Sequence, residues 1–125
     1  MSGWLPVAAW AALIFVASAT PDLRLLADDT LDTVTRKVGH MAVFGVLALF
    51  VWRALAMTWH RSRLWAWAAA VTILYAWSDE VHQGSVAGRN ASIGDVAIDA
   101  AGALIAVGLV WLVRSRRARD QPAQS

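Results

Sequence analysis

A chain of 125 residues has room for one domain, and its composition is far from that of an ordinary water-soluble domain. Hydrophobic residues make up 58% and charged residues 16%, whereas soluble domains carry about 25% charge. The absence of cysteine excludes disulfides and thiolate chemistry. The net charge of +2 does not indicate a nucleic-acid partner, because the arginines are concentrated in two groups beside apolar runs. An integral membrane protein is therefore expected, with a very apolar soluble bundle as the alternative.

Four apolar segments follow one another and predict an all-α integral membrane bundle of four transmembrane helices. The predicted helices cover about residues 4–20, 37–57, 63–82 and 93–113, and a basic cytoplasmic tail follows at 114–125. The first and third segments lack the polar stripe, repeating every three or four residues, that a soluble helix carries. The whole chain, 1–125, is expected to form one membrane domain.

The first segment has one feature of a cleaved secretory signal. Ala17, Ser18 and Ala19 form a small-residue pattern like a signal-peptidase site. The N-terminal residues MSGW carry no Lys or Arg, however, and Pro6 lies early in the segment. A retained helix is therefore preferred to a cleaved signal.

A short helix is predicted at 26–37, lying on the outer surface before the second membrane helix. Its acidic residues Asp28, Asp29 and Asp32 are interpreted as a solvated face rather than a cation site.

Further along the chain, Gly102 and Ala106 form a small-xxx-small pair that permits close helix approach. Gly39 and Gly45 are expected to serve the second helix in the same way.

The third helix raises the question of how polar residues enter the membrane. Its uninterrupted apolar run, 64–77, extends only about 21 Å, whereas a span needs about 20 residues. The helix can therefore cross only if residues 78–81, which include two carboxylates, lie at the membrane edge.

Basic residues predict the orientation of the bundle. The side with the connection between the second and third helices and the C-terminal tail holds Arg53, Arg61, Arg63, Arg114, Arg116, Arg117 and Arg119. The other side holds Arg24, Arg36, Lys37 and Arg89. Because cytoplasmic loops carry the excess of Lys and Arg, both termini are expected in the cytoplasm. The protein is thus predicted to be multipass in the cytoplasmic membrane.

Polar side chains collect at the outer end of three predicted helices. The second helix begins with Lys37 and His40, the third ends with Asp79, Glu80, His82 and Gln83, the next connection carries Arg89, and the fourth begins with Ser92, Asp95 and Asp99. Ionisable groups inside membrane helices are energetically costly, so they usually face a bundle interior or water and serve a function. These groups are therefore predicted to line one outward-opening pocket.

Two stretches within this region resemble the VanZ-like family. They are KVGHMAVFGVLAL at 37–49 and SDEVHQGSVAGRNASIGDVAIDAAGALIA at 78–106. The last polar position of the family pattern is usually Asn, where this chain has Asp99. The resemblance implies a small multipass protein of the cell envelope, linked to resistance against the glycopeptide teicoplanin, and it implies no particular reaction.

The first hypothesis for the pocket is a site for an anionic lipid or a lipid-linked cell-wall precursor. Lys37 and Arg89 would hold phosphate by charge-assisted hydrogen bonds. The remaining predicted ligand-binding residues are Glu80, Gln83, Ser92 and Asp99. If the site is catalytic, the residues involved are His40 or His82 as the proton carrier and Asp79 or Asp95 as its orienting carboxylate. The sequence does not choose between binding and catalysis.

Two other hypotheses remain open. A divalent metal is a possible cofactor, with His40, Asp79, His82 and Asp95 as candidate ligands, because Asp79 and His82 share a helical face as in carboxylate–histidine bundle sites. Alternatively, the carboxylates pair with Lys37 and Arg89 and close a bundle that supports another membrane protein.

Overall fold

The computed structural model describes residues 3–19, 27–60, 62–85 and 93–122, and these residues form four helices. The helices are α1 (Trp4–Ser18), α2 (Asp29–Thr58), α3 (Leu64–Ser85) and α4 (Ile93–Asp120). No strand occurs within these ranges. The prediction of an all-α fold with four helices is confirmed.

Helix α2 begins eight residues earlier than predicted. The Asp28 carboxylate caps the helix by accepting a hydrogen bond from the Leu31 backbone N–H at 2.9 Å. No Gly or Pro interrupts residues 29–38, so the helix continues directly into the apolar run. The prediction of a separate surface helix at 26–37 is therefore wrong.

The acidic start of α2 is also not uniformly solvated. Asp28 and Asp29 are exposed, but Asp32 is buried and lies 3.1 Å from the Arg36 Nε atom, one turn further along the helix. The interpretation of Asp32 as part of a solvated face is wrong, because Asp32 is only 3% exposed and forms an i, i+4 ion pair with Arg36.

Helix α4 continues beyond its predicted end at 113 and includes the first part of the basic tail. The arginines at its C-terminal end suit the negative end of the helix dipole. The Arg114 guanidinium lies 4.9 Å from the ring centre of Trp52 on α2, a distance within the range of a cation–π contact. Arg114 therefore connects the two long helices at the end opposite the polar residues.

Helices α2 and α3 form the centre of an antiparallel bundle, with α1 and α4 on opposite sides. Both central helices contact all other helices, whereas α1 and α4 share no contact among the described residues. The apolar core lies along α2, where Phe44, Leu47 and Val51 are almost completely buried. The C-terminal ends of α1 and α3 and the N-terminal ends of α2 and α4 consequently meet at one end of the bundle.

Three hydrogen bonds attach α1 to the two central helices. The Trp4 indole donates to Thr58 Oγ1 at 3.0 Å, and the Trp10 indole donates to the Val43 carbonyl at 2.9 Å. The Tyr75 hydroxyl on α3 donates to the carbonyl of Ala11 at 2.6 Å. The indole of Trp10 and the phenol of Tyr75 are half-buried, and such groups usually find a hydrogen-bond partner, so these bonds position α1 against both central helices.

The contact between α2 and α4 depends on small residues. A Cβ built on Gly102 would lie 2.7 Å from Met41 Cα, and one built on Gly45 would lie 3.2 Å from Ala106 Cβ. The predicted roles of Gly102, Ala106 and Gly45 in close packing are therefore confirmed. The same prediction is wrong for Gly39, because a Cβ there would meet no described atom within 4 Å.

Two helices, α2 and α4, are long and apolar enough to cross a membrane. Helix α1 has 15 residues, fewer than the about 20 that a span needs, and α3 carries carboxylates near its end. Apolar core helices of soluble proteins also meet this criterion of length and composition. The four-span topology therefore stays a prediction.

Candidate functional site

The helix ends that meet at one end of the bundle enclose a pocket of about 210 Å³. Helices α2, α3 and α4 all contribute to its walls. The lining residues are Thr33, Arg36, Lys37, His40, Glu80, Gln83, Asp95, Ile98 and Asp99. Six sequence-predicted site residues are thus brought together: Lys37, His40, Glu80, Gln83, Asp95 and Asp99.

The pocket has an exposed rim and a buried floor. On α2, the seven helical rises from Thr33 to His40 correspond to a depth of about 10 Å along the helix axis. Thr33 and Lys37 are exposed, His40 is half-buried, and Asp99 opposite it is only 2% exposed. Below His40, the fully buried Phe44 ring lies 6.3 Å away, centre to centre, and separates the floor from the apolar core.

The floor is built around a histidine–carboxylate pair. The His40 Nδ1 atom lies 3.5 Å from Asp99 Oδ1, so this contact joins α2 to α4 across the pocket. The predicted orienting carboxylate was Asp79 or Asp95, whereas this contact is made by Asp99. Asp99 lies one turn deeper than Asp95 and three residues before Gly102, where the backbones of the two helices approach closely.

The α3 wall is formed by buried polar side chains. Asp79, Glu80 and Gln83 are 2%, 5% and 7% exposed, respectively. The Gln83 amide donates to Asp79 Oδ2 at 3.0 Å. Asp79 itself is not among the lining residues, so it acts on the pocket by orienting Gln83 and by its charge.

A sequence model of the VanZ/LLP1 family matches residues 4–114. The chain belongs to the VanZ/LLP1 family. The match includes α1, the whole pocket and most of α4, a longer region than the two stretches that carry the sequence resemblance. No curated protein and no solved structure matches the chain.

In this VanZ/LLP1 protein, His82 lies away from the pocket. Its ring stacks on Phe15 of α1, with ring centres 4.1 Å apart and planes 16° from parallel. Its Nε2 atom is buried and has no hydrogen-bond partner in the described part of the chain. Phe15 and His82 therefore form a contact between α1 and α3, and His82 is not a neighbour of the His40–Asp99 pair.

The candidate metal ligands are not brought together in the VanZ/LLP1 bundle. Of the four, His40 and Asp95 line the pocket, Asp79 lies behind Gln83, and His82 faces α1. Within residues 3–19, 27–60, 62–85 and 93–122, no group of three or more His, Asp or Glu is placed to hold a metal ion. The two other predicted ligand-binding residues, Arg89 and Ser92, lie outside the described residues.

Charges are divided between the walls of the pocket. The α2 wall carries Arg36, Lys37 and His40, and the opposite wall carries Glu80, Asp95 and Asp99 from α3 and α4. Arg36 is also held by Asp32 at 3.1 Å. Lys37 is therefore the cation best placed to meet a ligand at the rim.

Sequence reasoning missed three lining residues, Thr33, Arg36 and Ile98. Thr33 and Arg36 precede Lys37 and His40 by helical spacings of four, so an earlier start of α2 would have placed them on the same face. The sequence signal for this earlier start is Asp28, a residue type that commonly caps helix N-termini. Ile98 had no distinguishing signal, because an isoleucine in an apolar helix is ordinary.

Proposed function

We propose that this VanZ/LLP1 protein is a four-span membrane protein whose outward-facing pocket binds the phosphate-bearing headgroup of a membrane lipid or lipid-linked cell-wall precursor. The observation that carries the proposal is the pocket itself, where three helices bring buried polar side chains and an exposed lysine together. Buried ionisable groups are costly in a bundle and are retained where they serve a ligand or a mechanism.

The membrane placement is supported by the outer surface of the bundle. Large apolar side chains point outward on α3 and α4, including Leu74 and Leu109 at 70% and 59% exposure. Many large apolar side chains exposed on one bundle normally indicate contact with lipid or protein. The polar interior at one end and the apolar exterior together favour placement of the bundle in a lipid bilayer.

Helix lengths support a pocket at the membrane edge. Helix α2 has 30 residues, or about 45 Å, which exceeds the hydrocarbon thickness of about 30 Å. The part of α2 that exceeds this thickness is the polar segment before Val38, which lies at the pocket end. Helix α4 has its polar excess at the opposite end, after Val113. With both termini in the cytoplasm, as the basic residues predict, the pocket opens on the external side.

The size of the pocket limits what it can enclose. A volume of about 210 Å³ is below the range of about 300–1,000 Å³ that is usual for drug-sized ligands. A compact phosphate headgroup fits this limit. The sugar and peptide parts of a cell-wall precursor would remain outside the pocket.

The test compares two exposed cations on the same helix. Lys37 lies at the rim of the pocket, and Arg53 is an exposed residue near the other end of α2. The protein is purified in a phosphorus-free detergent, and bound lipid phosphorus is measured per chain. Lys37→Gln should weaken retention about tenfold, through loss of a charge-assisted hydrogen bond, and Arg53→Gln should not. Equal phosphorus in the two variants contradicts the proposal.

The link to glycopeptide resistance is tested with the same variants in cells. Expression of the wild-type protein in a teicoplanin-susceptible host should raise the inhibitory concentration of teicoplanin. Lys37→Gln should abolish the rise while Arg53→Gln preserves it. If both variants raise the inhibitory concentration of teicoplanin equally, resistance does not depend on the pocket.

A second candidate function, catalysis, is favoured by the His40–Asp99 pair. A histidine held by a buried carboxylate is the usual arrangement of a general base, which would activate water for attack on a phosphate ester. Release of headgroup from lipid vesicles should then be lost in His40→Gln and Asp99→Asn proteins. His60→Gln is the matched control, because His60 is exposed at the opposite end of the bundle. Absence of release by the wild-type protein leaves binding as the function.

A further inference from the structure

We infer that the pocket selects a headgroup that carries a primary ammonium group next to its phosphate. This inference rests on the proposed function and specifies its ligand class. It follows from the arrangement of charge across the pocket, the depth of each charged side chain and the balance between the two signs.

The first step is the separation of charge. Among the described lining residues, Arg and Lys occur only on α2, and carboxylates occur only on α3 and α4. A ligand in the space between these walls meets basic groups on one side and acidic groups on the other. A headgroup with a single charge matches only one wall, whereas a dipolar headgroup matches both.

The second step is the balance of charge. The lining contains two side chains with a full formal positive charge, Arg36 and Lys37, and three carboxylates, Glu80, Asp95 and Asp99. With His40 neutral, the described lining has a formal excess of one negative charge. The described lining, taken together, therefore repels a simple phosphate anion, even though Lys37 attracts it at the rim. An ammonium group on the same ligand removes this repulsion.

The third step is depth, which orients the ligand. Glu80 and Asp99 are 5% and 2% exposed, whereas Lys37 is exposed. The ammonium group therefore lies at the floor, between carboxylates of α3 and α4, and the phosphate lies at the rim, beside Lys37. An ammonium group offers three N–H donors, which suit acceptors arriving from two helices.

A bare cation is a poorer match for the same pocket. Lys37 and Arg36 repel it on the α2 side, and the described residues contain no three-ligand group for a metal ion. A quaternary ammonium group is also a poorer match, because it has no N–H to donate to Glu80 or Asp99. Phosphoethanolamine represents the chemistry that satisfies both walls.

The test uses the full-length protein in nanodiscs of phosphatidylcholine containing equal amounts of phosphatidylethanolamine and phosphatidylglycerol. Lipids that remain bound after release into detergent are counted by native mass spectrometry. Phosphatidylethanolamine should be retained about tenfold over phosphatidylglycerol, as expected for one charged hydrogen-bonded contact. Glu80→Gln should remove this preference, while Lys37→Gln should lower the retention of both lipids.

Asp120→Asn is the matched control, because Asp120 is an exposed acid at the far end of α4. Where Glu80→Gln does not give monodisperse protein, the half-buried Asp95 provides the second variant, Asp95→Asn. Equal retention of the two lipids, a preference for phosphatidylglycerol, or equal effects of Glu80→Gln and Asp120→Asn overturns the inference.

Two further outcomes separate this inference from the proposed function. Retention of phosphatidylglycerol equal to that of phosphatidylethanolamine, with both lowered by Lys37→Gln, overturns the ammonium requirement and keeps the phosphate pocket. Absence of any retained phospholipid, or retention that is the same in the wild-type and Lys37→Gln proteins for every lipid, overturns both. Soluble phosphoethanolamine is then added as a competitor. Weak displacement at millimolar concentration indicates a lipid ligand, and complete displacement at micromolar concentration overturns the lipid source in favour of a free aminoalkyl phosphate.

Discussion

The contact between Gly102 and Met41 can be tested by adding one methyl group. In a Gly102→Ala protein, the new Cβ would lie 2.7 Å from Met41 Cα and 2.8 Å from the Met41 carbonyl carbon. Carbon atoms normally pack about 3.5–4.0 Å apart, so α2 and α4 must separate by roughly 1 Å. The obstacle is backbone, which cannot rotate aside as a side chain can.

The expected magnitude follows from a matched pair of glycines. Gly→Ala within a helix is intrinsically stabilising by about 0.5–1 kcal/mol, whereas overpacking costs typically about 1–3 kcal/mol. Gly39→Ala gives the intrinsic gain alone, because its Cβ meets no described atom within 4 Å. The free energy of unfolding should therefore be about 1–3 kcal/mol lower for Gly102→Ala than for Gly39→Ala.

The assay is unfolding of the purified protein by a denaturing detergent, followed by helical circular dichroism. Lipid phosphorus retention is a second measurement. Asp99 lies three residues before Gly102, so separation of the helices should also lengthen the His40–Asp99 contact and weaken the pocket. If Gly102→Ala unfolds at the same detergent concentration as Gly39→Ala, the close approach of α2 and α4 is wrong.

Three other outcomes are expected. Trp10→Phe removes the hydrogen bond to the Val43 carbonyl and should lower the free energy of unfolding by about 1 kcal/mol, measured by the same detergent titration; no loss would contradict this attachment of α1. Phe15→Ala removes the ring stacked on His82 and should speed modification of that imidazole by diethylpyrocarbonate, with the other two histidines unchanged as the internal control. A reporter fused after Ser125 should be cytoplasmic, and an external reporter would invert the proposed topology.

Much of the fold could be predicted from apolar runs alone. Each of the four apolar runs became a helix, and the alternation of direction in a bundle with short connections brought the polar ends together. The boundaries were less predictable. Helix α2 reaches back to Asp29 because Asp28 caps it, whereas the acidic pattern alone predicts that Asp28 belongs to a solvated face of a separate helix.

The site was predictable to the level of which helix ends contribute to it. Six predicted residues line the pocket, including His40 and Asp99. The pairing within the site was not predictable. Helical spacing places Asp79 and His82 on one face of α3, but Asp79 bonds Gln83 beside the pocket whereas His82 stacks on α1.

The sequence by itself determined that four helices form and that the polar residues of the candidate site collect at one end. Only the tertiary structure decided that His40 meets Asp99 and that His82 meets Phe15. The physical reason is that spacing along a helix gives the angle between its own side chains, while the rotation of the helix about its axis depends on its neighbours. In this protein that rotation follows from close packing, where the missing Cβ of Gly102 admits the backbone of Met41.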